Sequence, residues 1–324
     1  MDYPSHRVAD PSSAPAPSQT ANLISICCSL VNISRLHIVA IAAMACLTFG
    51  WLFTGRYLWM AVTFVALDWF VINLLNQTVD LKEDAINNIC RVTFTLRHRR
   101  IFLGVGLVTA LVSLVAGYWI NPMLTWPRIG FHLLGAMYNW PLLPGKRRLK
   151  QLYFWKNTAS ALGFLITVFG YPLALIWPFD PFNTLPGDIT WGAVGWVALF
   201  FFLFEVSYEV IYDIRDVNGD AAAGIQTYAV VHGVRGAVRI IDSLIFLSIA
   251  ILVISFLSGM LPWRIVIMAA APLIQFAFYK RALRRGISAK DCIAITWIGV
   301  VLLVIYNLWV VAELPGLGAV NVGL

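Results

Sequence analysis

Apolar residues run along this chain in long blocks separated by short polar stretches. Alternation at the period of a strand is absent from these blocks. Nine of them read as membrane helices, a full crossing taking about 20 residues. They are 37–53, 57–75, 101–119, 129–143, 157–177, 190–208, 240–260, 262–282 and 292–312. The fourth is short and ends at Pro141. The pattern predicts an all-α, polytopic membrane protein of nine transmembrane helices. Residues 1–20, rich in Pro, Ser and Ala, have no apolar period and predict a disordered tail over 1–21 ahead of one membrane domain at 22–324. The tail lacks the charged start, apolar core and small-residue cleavage site of a secretory signal, so the first apolar block is expected to stay in the protein.

Composition agrees with the blocks. The chain is 60% hydrophobic and 12% charged, with mean hydropathy +0.79; a soluble domain carries about 25% charged residues. The net charge of +7 would ordinarily raise a nucleic-acid partner. Here 18 of the 23 Lys and Arg lie in the alternate connections 76–100, 144–156, 209–239 and 280–291, where they set orientation and bind no anionic polymer. Those four connections are expected on the cytoplasmic side. With nine spans the N-terminus is then inside and the C-terminus on the opposite side. The cysteines, Cys27, Cys28, Cys46, Cys90 and Cys292, have no metal-ligand spacing flanked by histidines, so they read as small buried hydrophobes. The five histidines share no ligand spacing and receive no role.

The acidic residues are concentrated. After the second span comes Asn76-Gln-Thr-Val-Asp80-Leu-Lys-Glu-Asp84, and after the sixth Tyr212-Asp213-Ile-Arg-Asp216-Val-Asn-Gly-Asp220. At about 100° per residue, Asn76, Asp80 and Asp84 share one helical face, as do Asp213, Asp216 and Asp220. Either stripe alone reads equally well as solvated carboxylates balanced by nearby Arg and Lys. Two stripes in equivalent connections argue for more, because like charges on one face repel by a few tenths of a kcal/mol per pair without structural return. Near the bilayer they need a counter-charge. Oxygen-only ligands on facing stripes suit Mg²⁺ bridging to a phosphate group.

The stripes resemble the two aspartate-rich motifs of the UbiA superfamily of intramembrane prenyltransferases, NDxxDxxxD and DxxDxxxD. The second runs on here as DIRDVNGDAAAGIQT before Tyr228 and Gly233, and the resemblance extends from Arg35 to the ninth span. It implies nine helices around a central cavity, capped on the cytoplasmic side and open laterally to lipid. It also implies an enzyme that removes diphosphate from a prenyl diphosphate and attaches the prenyl group to a hydrophobic acceptor, or in some branches cyclises it. By the same resemblance Asn76, Asp80, Asp84, Asp213, Asp216 and Asp220 hold Mg²⁺, and Asp80, Asp84, Asp216 and Asp220 form the catalytic set with Tyr138 and Lys150. The diphosphate is expected against Arg35, Asn76, Arg91, Lys146, Arg148, Tyr212 and Arg215. Arg35 at the start of the first span reads equally as a topology anchor. Tyr138 leads into Lys146-Arg-Arg-Leu-Lys150 without the family's Tyr-xxx-Lys spacing, which leaves open which lysine reaches the site.

Two departures bear on the reaction. Gln77 stands where the family has aspartate, and Arg91-Val92 where Arg-Pro is usual. Gln77, together with Lys156-Asn157 and Ala161-Leu-Gly-Phe164, resembles the branch containing membrane terpene cyclases, so cyclisation without an acceptor is the alternative outcome. Glu205, Tyr208 and Glu209 precede the second stripe, and a carboxylate within a span is a functional candidate by default. A transporter is the reading from another class. Transporter sites usually lie near mid-membrane on broken helices, whereas both stripes lie at one face.

Overall fold

The computed structural model describes residues 35–81, 89–177, 185 and 189–314. The expected tail, Cys27, Cys28 and Asp84 lie outside the described residues. Among those described, the chain forms nine helical rods: α1 Leu36–Thr54, α2 Trp59–Val79, α3 Ile89–Ile120, α4 Pro122–Asn139, α5 Trp155–Leu175, α6 Trp191–Ala222, α7 Tyr228–Leu257, α8 Trp263–Leu283 and α9 Ala289–Val311. Eight are long and apolar enough to cross a membrane; α4 is the exception, holding Arg128 and Pro127.

Several helices outrun their apolar blocks. α3 starts well before 101, α6 continues far beyond 208, and α7 begins at Tyr228 and not at 240. The apolar blocks mark only the part that lipid demands, while intrahelical hydrogen bonding carries on through the polar residues. α6, with 32 residues, is roughly 48 Å long against a hydrocarbon core of about 30 Å. Its acidic motif is therefore helical, not a loop.

Local chemistry explains the ends. Asn121 caps α4, its side chain accepting from the Met123 and Leu124 amides at 2.9 and 3.3 Å, with Pro122 next in the first turn. Thr190 caps α6 and Thr227 caps α7, and Ser288 with Asp291 forms a capping box on α9. Inside α5 a π-helical turn at Ile166–Gly170 precedes Pro172, which lacks an amide hydrogen and relaxes the helix there. Gly233 breaks α7 near its start with φ 68°, ψ 170°, a conformation that favours glycine.

The core is aromatic. Phe49 of α1 lies 4.9 Å from the Phe169 ring and 5.4 Å from Phe201, which ties α1, α5 and α6. Trp69 packs 4.2 Å from Phe164 and donates its indole hydrogen to Thr167 at 3.0 Å. α3 turns the other way: Ile101, Val108, Leu111 and Val112 are each more than 60% exposed, so this helix faces lipid.

A second buried feature is ionic. Asp68 of α2 accepts from Arg128 Nε and Nη2 at 2.8 and 2.7 Å and from the Tyr171 hydroxyl at 2.7 Å, with His132 Nε2 at 3.1 Å. Arg128 also donates to the Ser113 carbonyl at 2.5 Å, and Gly117 leaves the space it needs, since a Cβ there would collide with the guanidinium. His132, given no role by the sequence, thus belongs to this cluster. Arg128 is fully buried, its charge held inside the bundle by Asp68.

Candidate active site

Two clusters of paired charges lie at the ends of α2 and α6 and meet around α4 and the start of α5. α2 stops at Val79, and Asp80 is its C-cap, with its amide donating to the Asn76 carbonyl at 3.0 Å. The Asp80 carboxylate is buried and accepts from Lys150 Nζ at 2.5 Å and Arg148 Nη1 at 3.2 Å. A single 3₁₀ turn, Leu149–Gln151, presents these cations, with Gln151 accepting from the Arg148 amide at 2.9 Å. Lys150 is buried and its ammonium lies 6.0 Å from the Tyr138 ring centre. Of the lysines after Tyr138, Lys150 is therefore the one that enters the cluster. Lys146 is exposed in a turn at φ 55°.

The second cluster joins α5 to α6. Lys156 Nζ lies 2.8 Å from Asp213 Oδ1 and 2.8 Å from Asp220 Oδ2, and the Asn157 amide donates to Asp213 Oδ2 at 2.8 Å. One turn along, Ser160 donates to Glu209 at 2.7 Å. Lys156, Asn157 and Ser160 share a face of α5, as Glu209, Asp213 and Asp220 do on α6. Tyr138 stands between the clusters, within electrostatic reach of Asp80 on one side and of Lys156, Glu209 and Asp213 on the other.

Some expected residues stand elsewhere. Asp216 turns to Arg215, whose Nε donates at 2.7 Å, and reaches Asp220 only through space. Arg215 lies over the Tyr212 ring at 4.7 Å, and the Tyr212 hydroxyl contacts Thr296 of α9 at 2.9 Å. Tyr212 and Arg215 thus face α9, away from Lys156, because they sit beside Asp213 and Asp216 on a helix whose adjacent residues diverge by about 100°. Arg35 is the left-handed N-cap of α1, with its charge reaching Glu209. Arg91 is in the first turns of α3, its side chain outside the described part, as is Asp84 altogether.

Lys156, Asn157 and Ser160 are not among the residues that the motifs assign to the site. Their signal in the sequence is a polar face at i, i+1 and i+4 at the head of an apolar block, where Lys156 also counts as an orienting charge.

Among the described residues no three His, Cys, Asp or Glu side chains converge as a ready metal cage. The donor set nonetheless suits a hard cation. Asp213 and Asp220 already direct one oxygen each at a single positive centre, the Lys156 ammonium. One turn before Asp80, the buried Asn76 Oδ1 has no hydrogen-bond partner among the described residues, nor has either polar atom of the Gln77 amide. Oxygen donors of this kind match Mg²⁺, which keeps part of its shell for water and phosphate.

Fold and site together define an α-helical membrane bundle carrying a carboxylate-rich, lysine-lined centre at one end. The chain belongs to the UbiA prenyltransferase family, whose sequence model matches residues 36–298. It is similar to two proteins named digeranylgeranylglyceryl phosphate synthase. The one from Thermococcus sibiricus is 29% identical over 180 residues, covering 55% of this chain and 57% of that protein. The one from Pyrococcus abyssi is 26% identical over 169 residues, covering 52% and 54%. The chain thus spans about half the length of these curated relatives. Among solved structures, a UbiA homolog from Archaeoglobus fulgidus bound to GPP and Mg²⁺ shares the fold, with TM-score 0.65 and 15% identity over 88% of this chain and 99% of that one.

Proposed function

We propose that this protein is an Mg²⁺-dependent intramembrane prenyltransferase. It takes a prenyl diphosphate at the cytoplasmic end of the bundle, releases diphosphate and joins the prenyl group to a hydrophobic acceptor, aromatic or lipid-like. The observation that carries the reading is the meeting of the Asp80–Lys150–Arg148 and Asp213–Asp220–Lys156 clusters around Tyr138. Family membership and the positive charges on the alternate connections support the reaction and the sidedness.

In this reading Asp80, Asp213 and Asp220 hold the metal, with Asn76 as a further oxygen donor and Asp84 and Asp216 completing the motifs. When bound, Mg²⁺ neutralises charge on the leaving diphosphate. Lys150, Arg148 and Lys156 bring three further cations that bind phosphate oxygens. As the allylic C–O bond breaks, its electron pair leaves with the diphosphate, and the Tyr138 ring offers a π-face to the developing cation. An acceptor nucleophile then forms the new bond and loses its proton. The surrounding apolar helices exclude the water that would otherwise capture the cation.

Cyclisation is the second reading. The Gln77 amide in place of aspartate, with both its polar atoms unpartnered among the described residues, favours it. The experiment supplies geranylgeranyl diphosphate and Mg²⁺ to purified protein, with and without a glyceryl phosphate ether lipid or 4-hydroxybenzoate, and identifies the products. Geranylgeranyl is the first donor to try because the two relatives' names contain that group. Prenylated acceptor, formed only when acceptor is supplied, is expected. A cyclic hydrocarbon or terpene alcohol released equally fast without acceptor replaces transfer by cyclisation.

A further inference from the structure

A cavity of about 100 Å³, opening at a wider mouth, lies between α1, α6, α8 and α9 and touches α5. Its wall is apolar, with six phenylalanines from Phe49 on α1 to Phe278 on α8. Four side chains on the wall have hydrogen-bonding groups. Tyr208 and Thr296 bond each other, and Gln275 donates its amide to Ser207 at 3.0 Å. The fourth, Glu205, is 92% buried, and among the described residues its carboxyl has no hydrogen-bond or ion-pair partner. The charge acting on it most is that of Glu209, which is of like sign.

A carboxyl placed so is costly, and a pure hydrocarbon occupant would leave it unsatisfied. A ligand that brings a hydrogen-bond donor into the aromatic cavity removes the cost. Glu205 precedes Asp213 by eight residues on the same helix, about 12 Å along the axis. The diphosphate site and this carboxyl therefore address different parts of the reacting pair. We propose that Glu205 is a specificity-determining residue that hydrogen-bonds a hydroxyl of the acceptor, selecting an apolar molecule with one such group. The proposal rests on the prenyltransferase reading above.

The test uses the whole chain in nanodiscs and two probes that differ by one methyl group, 4-octylphenol and its methyl ether, 4-octylanisole. Binding of geranyl thiodiphosphate with and without Mg²⁺ is measured alongside. Wild type is expected to prefer the phenol about tenfold, equivalent to about 1.4 kcal/mol. Glu205→Met should abolish that preference while leaving the methyl ether and the thiodiphosphate bound as before. Glu205→Gln, which keeps an acceptor oxygen, should restore part of it. Equal affinity for the two probes in wild type overturns the proposal whether or not the variants fold, as does a preference that survives in Glu205→Met. Absence of Mg²⁺-dependent thiodiphosphate binding in wild type overturns the acceptor role together with the transferase reading, even where the phenol preference holds.

Discussion

Replacing Lys156 with Met removes the only positive group that Asp213 and Asp220 share among the described residues. The side chains of Asp213 and Asp220 are 1% and 8% exposed, so two carboxylates are left facing each other away from water. Breaking a buried pair from one side costs about 3–5 kcal/mol. Asn157 still donates to Asp213, and Lys156 is itself 14% exposed, which puts the expected loss near the lower bound, about 3 kcal/mol. If these carboxylates are metal ligands, Mg²⁺ supplies the missing charge. A cation present at 100 times its Kd stabilises the folded state by about 2.7 kcal/mol, which nearly offsets the loss. The assay is chemical unfolding in mixed micelles, with chelator and then with Mg²⁺, for wild type and Lys156→Met. The variant should be much weaker than wild type in chelator and should gain more from Mg²⁺. A variant as stable as wild type in chelator, or one that Mg²⁺ does not rescue, refutes the reasoning.

The Asp68–Arg128 pair predicts a different pattern. Asp68→Ala or Arg128→Met alone should cost about 3–5 kcal/mol, and the double variant should recover part of that, because no buried charge is left unpaired; additive losses in the unfolding cycle would contradict it. Gly117→Val should destabilise by about 1–3 kcal/mol through collision with the Arg128 guanidinium, and a thermal scan showing no change would be inconsistent with the packing. In a background lacking Cys27, Cys28 and Cys90, cysteines at Arg99 and Lys146 should react with an impermeant reagent only from the cytoplasmic side, and one at Met260 only from the other. Labelling of Lys146 and Met260 positions from one side would defeat the proposed orientation.

The helical bundle was legible because each apolar block must form a helix in lipid, and the charge asymmetry of the connections kept the count of rods consistent. The acidic stripes were legible for a similar reason: Asp80, Asp213 and Asp220 sit where a soluble loop would gain nothing from clustered like charges. Helix limits were less legible. Hydropathy fades at about residue 208, yet the α6 backbone hydrogen bonds continue to Ala222. Lys156 was hidden because an orienting charge and a site charge look identical until α6 is placed against α5. Arg128 and Asp68, 60 residues apart, read as unrelated until α4 packs on α2. Tyr212 and Arg215, adjacent in sequence to Asp213 and Asp216, stand on the face of α6 toward α9, a difference that only the helix geometry reveals.

In the proposed reaction both aspartate clusters serve one metal-dependent diphosphate site. Its most direct measurement is diphosphate release from geranylgeranyl diphosphate, in the presence of acceptor, by wild type, Asp80→Asn and Asp213→Asn, each with Mg²⁺ and with chelator. Wild type should release diphosphate only with Mg²⁺. Each variant, still folded by circular dichroism, should lose activity by orders of magnitude, since a neutral amide is a poor Mg²⁺ ligand in place of a carboxylate. Near-normal release by either variant, or wild-type release that ignores the chelator, would contradict a shared metal–diphosphate site.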